Sequence, residues 1–183
     1  MDDFEKCDEY INFIGSDLHI DNFEKRIKVQ KLAYLFANLF NLEKLLESFN
    51  YYIRGPYSPQ WAKYYYDNKG AARTEKTELD AEVKGELERV GFVKDLSAED
   101  LEIMASLLFI EKMYNLDEDR AEQKLKEQKP YLSMEKIWRG SQLLKRFMLK
   151  PMEAKKIIGK LKQETEKWDE ASAQDFDSFD EHR

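Results

Sequence analysis

The chain has 183 residues, 42% of them hydrophobic and 13% aromatic, which suits about one domain with a packed core and excludes a disordered polypeptide. The single cysteine, Cys7, excludes an internal disulfide, and no run approaches the roughly 18 apolar residues that a membrane span needs. A soluble, cytoplasmic protein without membrane contact is expected, and seven glycines with four prolines leave few breaks in what should be long helices.

The formal charge of −7 alternates along the chain. Residues 1–21 sum to −6, 22–73 to +5, 74–135 to −8, 136–162 to +8 and 163–183 to −6. Such blocks allow local basic patches on an acidic protein, although opposite blocks can also neutralise one another within a fold.

Asp3 to Ile14 is predicted to be a short helix ending at Gly15. A polar linker with His19 follows, and Asp21 is expected to cap the next helix with Glu24 three residues on. That helix reaches Phe40. Its apolar residues Phe23, Ile27, Leu32, Leu35, Phe36, Leu39 and Phe40 cover much of its circumference, so it should be largely buried. Its polar residues include Arg26, Gln30, Lys31 and the hydroxyl of Tyr34, either a solvated stripe or a contact face.

Asn41 can end this helix, and Leu42–Leu46 make a turn or short helix leading to a strand over Phe49–Arg54. Gly55 before Pro56 marks a corner, since Gly accepts unusual φ and Pro fixes the next one. Ser58 and Pro59 read as N-cap and first residue of a further helix, with Trp61 on its first turn. The predicted strand needs a partner for its backbone groups, and Gly91–Asp95 is the expected one. Tyr64 and Tyr65 continue the stripe that Trp61 begins, and residues 70–78 form a loop.

A helix over Leu79–Val90 is followed by the most apolar helix, started by Ser97 with Asp100 and running to Tyr114. Glu99, Asp100 and Glu102 there read as a solvated face. A charged helix, Glu118–Gln128, precedes a Lys-Pro turn. Ser133 then caps a helix whose inner face is Ile137, Trp138, Leu144, Phe147 and Met148. Pro151 separates it from a last helix, and an acidic tail, residues 169–183, is expected to be disordered. The expected fold is mainly α: one compact multi-helix domain over residues 1–168 with a small two-stranded β element, one arrangement of which is winged-helix-like.

Enzyme signatures are poor. His19 and His182 cannot be placed against a nucleophile, Cys7 has no basic neighbour beyond Lys6, and no zinc spacing, phosphate loop or hydrolase elbow is present. A non-enzyme without metal or cofactor is expected. Two binding readings remain. A rigid corner rimmed by Tyr52, Arg54, Tyr57 and Trp61 suits a hot-spot contact with a protein. Alternatively, residues 118–148 have a helix–turn–helix outline that would show Lys136, Arg139, Gln142, Lys145 and Arg146 to nucleic acid.

The segments RIKVQKLAYLF (26–36), YYIRGPYSPQWA (51–62), LEIMASLLFIEK (101–112) and KPYLSMEKI (129–137) together resemble the YwgA-like prokaryotic proteins. More distantly, QKLAY (30–34) with YIRGPYSP (52–59) is similar to the SocA/Panacea domain, with its K-x-Q-K-L-x-Y helix and Y-G-P corner. The resemblance covers roughly residues 20–148 and implies a small helical protein without catalysis, an antitoxin or adaptor that binds a toxin protein directly. The contact face expected for such a partner comprises Arg26, Gln30, Lys31, Tyr34, Tyr52, Arg54, Gly55, Pro56, Tyr57, Ser58, Pro59 and Trp61.

Overall fold

Two helices of seventeen residues that are apolar around most of their circumference must lie inside, and the structure, a computed structural model, puts them together at the centre. It describes residues 1–15, 22–68 and 79–149. These carry, in order, α1 (Asp3–Phe13), α2 (Phe23–Leu39), α3 (Glu43–Leu46), β1 (Asn50–Tyr52), β2 (Gly55–Tyr57), α4 (Pro59–Asn68) and α5 (Ala81–Val90). A 3-10 helix (Gly91–Asp95), α6 (Ala98–Tyr114), α7 (Glu118–Gln128) and α8 (Met134–Met148) follow. Met1–Phe147 form one compact unit. The expected last helix, the acidic tail and the 70–78 loop lie outside the described residues.

The protein is mainly α with a two-stranded antiparallel sheet. Residues Val29–Asn38 of α2 are continuously buried, and α6 is buried over nearly all of Ala98–Ile110. α1 packs on α2, and α7 and β2 on α6. Phe36 meets Phe147 with ring centroids 5.9 Å apart, joining α2 to α8. α8 comes so close to α6 that a side chain on Gly140 would overlap Ile103. No helix among the described residues is long and apolar enough to cross a membrane.

Local chemistry accounts for most of the boundaries. Ser97 caps α6 through the backbone of Asp100, and the Ser133 hydroxyl accepts from Lys136 N at the start of α8. At the start of α2 the cap is Asn22, not the expected Asp21: its carboxamide oxygen accepts from Lys25 N at 2.9 Å. Asn41 and Asn115, both left-handed, follow α2 and α6.

The expected partnering of the strand is overturned. Gly91–Asp95 is a 3-10 helix, and β1 pairs instead with β2, in the register Asn50–Tyr57, Tyr51–Pro56 and Tyr52–Gly55. The chain therefore reverses at Ile53–Arg54, one step before the Gly-Pro pair, and Gly55–Pro56 belong to the returning strand. Gly55 makes the reversal possible: its φ of +80° is the left-handed conformation that closes a short hairpin turn. A hairpin that closes on itself needs no distant partner, which is why the 91–95 segment is free to coil.

Candidate functional site

The hairpin is held on α2 by two adjacent side chains. Gln30 presents both halves of its carboxamide to one residue: Nε2 donates to Ser58 O at 3.1 Å, and Ser58 N donates to Oε1 at 3.0 Å. Lys31 Nζ donates to Pro56 O at 2.6 Å. Ser58 in turn caps α4, accepting from Trp61 N at 2.9 Å, and its hydroxyl lies 2.7 Å from that of Ser48. The motif 30–34 and the motif 52–59, far apart in sequence, are thus one hydrogen-bonded unit.

Burial decides the roles of the expected contact residues. Trp61 is 0% exposed and stacks on Tyr64 with centroids 5.5 Å apart, so it belongs to the core rather than to a docking face. Tyr34, Gly55, Pro56 and Ser58 are also buried, and Tyr34 packs edge-on against Phe49 at 5.1 Å. These residues shape the site from within. Arg26, Tyr52, Arg54, Tyr57 and Pro59 are exposed.

Between α2, the hairpin and α4 lies a pocket of about 440 Å³. Arg26, Gln30, Lys31, Tyr52, Arg54, Gly55 and Tyr57 all border it; Tyr34, Pro56, Ser58, Pro59 and Trp61 do not. Sequence reasoning missed its other walls, Phe23, Ile27, Val29, Ile53, Ala62, Tyr65 and Tyr66. Among the described lining residues the charged groups are Arg26, Lys31 and Arg54, with no carboxylate. The guanidinium of Arg54 also sits 5.3 Å from the centre of the Phe23 ring, tying the hairpin tip to the first turn of α2.

Behind the hairpin is a buried charge cluster centred on α6. Glu102 forms a close ion pair with Lys129 and a looser one with Arg54 at 3.4 Å, and Tyr131 OH lies 3.5 Å from it. Asp100 is buried as well and accepts from Arg139 at 3.2 Å. The expectation of a solvated acidic face at 99–102 therefore holds only for Glu99. A carboxylate inside needs a partner, and cations from the hairpin, the Lys-Pro turn and α8 supply them. Burial pushes the Lys31 amine down to about 7; Glu102 opposes this, while Lys129 and Arg54 reinforce it. Burial also lowers Lys129, despite Glu102, and raises the thiol of Cys7 well above its usual range.

The basic helix expected to meet nucleic acid is α8, and its cations are engaged within the fold. Lys136 pairs with Glu99 at 2.8 Å, Arg139 with Asp100, and Lys145 with Glu118 at 2.6 Å. Arg146 stacks 4.0 Å over Phe92, and Gln142 is half-buried. Trp138, assigned to the inner face by its spacing, is exposed instead.

No family model, curated protein or solved structure matches this chain. Fold and site define a mainly helical protein that presents a clamped hairpin beside an apolar, cation-bordered pocket.

Proposed function

We propose that this chain is a non-enzymatic protein-interaction module whose hairpin rim docks onto an acidic, apolar surface of a partner protein. The observation that carries this is Ile53, 90% exposed at the hairpin tip while the returning strand is locked to α2 by Lys31 and Gln30. Large apolar side chains in water on a rigid mount are the composition of a binding hot spot, because little entropy is left to lose on docking. Phe23, Tyr52, Tyr57 and Tyr66 are exposed around the same pocket. Arg26 beside them favours a carboxylate on the partner.

The likeness of residues 30–34 and 52–59 to SocA/Panacea proteins supports a toxin protein as the partner. The ion pairs along α8 disfavour the nucleic-acid alternative, because its charges are already offset by carboxylates. The test is co-purification with the product of the adjacent reading frame, comparing the wild type with Ile53→Glu and with Lys145→Glu/Arg146→Glu. Loss of the partner with the first variant alone supports docking at the hairpin. Loss with the second alone supports α8.

A further inference from the structure

The pocket beneath the rim has properties that the rim does not require. Its volume of about 440 Å³ falls in the range of roughly 300–1,000 Å³ typical of small-molecule sites. Its described walls are mostly rings and aliphatic carbons, from Phe23, Ile27, Tyr52, Tyr57, Tyr65 and Tyr66. Of its polar groups, the Gln30 carboxamide is spent on Ser58.

Lys31 is different. It is 2% exposed, and among the described residues its ammonium has one hydrogen-bond acceptor, Pro56 O, for three donors. The nearby carboxylate, Glu102, is engaged by Lys129 and Arg54. A buried cation with one acceptor among the described residues therefore borders an apolar cavity, and such a group is stabilised by an incoming anion.

We propose that the pocket binds a small amphipathic carboxylate, an apolar or aromatic acid whose carboxylate meets Lys31 and whose body lies along the tyrosine walls. The carboxylate supplies further acceptors and a counter-charge. The rings supply apolar area and flat surfaces for an aromatic body. Arg26 and Arg54 raise the local potential for an anion. Phe23, Tyr52, Tyr57 and Tyr66 belong to both, but docking is read from Ile53 at the tip and acid binding from Lys31 inside, so either can fail without the other.

The site has a proton signature. The charged groups around Lys31 are Glu102 on α6, Lys129 after α7 and Arg54 in the hairpin turn, and burial holds its amine near pH 7 in the free protein. A bound carboxylate favours the ammonium form. Binding should take up protons at mildly alkaline pH and weaken as pH rises above about 7.

The test is calorimetric titration of the full chain, at about pH 6.5 and about pH 8.5 in buffers of different ionisation heat. The probes are octanoate, phenylpropanoate and indole acetate, each beside its primary amide. At least one acid should bind saturably, about tenfold more tightly than its amide, with proton uptake at the higher pH. Lys31→Met should erase the preference for acid over amide. Lys31→Arg should keep that preference but lose the proton uptake, because a guanidinium does not titrate in this range. Equal binding of acid and amide, an acid preference without proton uptake, or no binding of any acid at about 10 mM would overturn the proposal.

Discussion

Gly55 of the hairpin and Ser106 of α6 pack so closely that no side chain fits between them: a Cβ on Gly55 would overlap the Ser106 hydroxyl. Gly55 also has a φ of +80°, so two independent constraints require glycine there. Gly55→Ala should cost about 2–4 kcal/mol, combining backbone strain with overpacking of a tight contact. Denaturant unfolding of the variant measures this. A loss below about 1 kcal/mol would show that the hairpin is not pressed onto α6 as described.

Glu102 and Lys129 form a buried ion pair, with Lys129 2% exposed. Lys129→Met leaves the carboxylate inside with only the looser Arg54 and Tyr131 contacts, and should destabilise by about 3–5 kcal/mol. Removing both charges, in Glu102→Leu/Lys129→Met, should recover most of that loss, since the pair has already lost hydration on burial. A double-mutant cycle on unfolding free energies decides this. A double variant no more stable than Lys129→Met would mean that the charges do not act as a pair.

Lys31 titrates near 7 in the folded protein against 10.5 as its ordinary value. Between those values the unfolded chain holds a proton that the folded chain lacks, so stability from this group is gained as pH rises and lost as it falls. Lys129 is shifted in the same direction. Cys7 and Tyr34, whose values burial raises, act oppositely once their unfolded forms ionise in alkali. The useful window is therefore about pH 7 to 8.5. There the stability of the wild type relative to Lys31→Met should rise with pH, and a flat difference would show that Lys31 stays protonated.

Helix positions and caps were legible because each rests on local chemistry. Ser58, Ser97 and Ser133 cap as their spacing implies, and the apolar circumference of α6 told of its central place. Pairing was harder to see. A two-residue reversal at Ile53–Arg54 carries no Asn-Gly signature, so the glycine one position later read as the corner rather than as the residue that closes the turn. Buried charge was hidden for a different reason: Asp100 and Glu102 look solvated until Arg139 and Lys129, nearly thirty or more residues away, are brought against them. Of the pocket, the half on α2 and the hairpin was visible in the motifs. The contributions of Phe23, Ala62, Tyr65 and Tyr66 depend on how α2 and α4 converge.

The most direct measurement is the affinity of the adjacent reading frame's product for the wild type, Ile53→Glu, Arg54→Glu and Lys145→Glu/Arg146→Glu, each first shown to fold. Docking at the hairpin predicts at least about a tenfold loss for each of the first two variants and no loss for the third. Undiminished binding by Ile53→Glu and Arg54→Glu, or loss confined to the α8 variant, would contradict it.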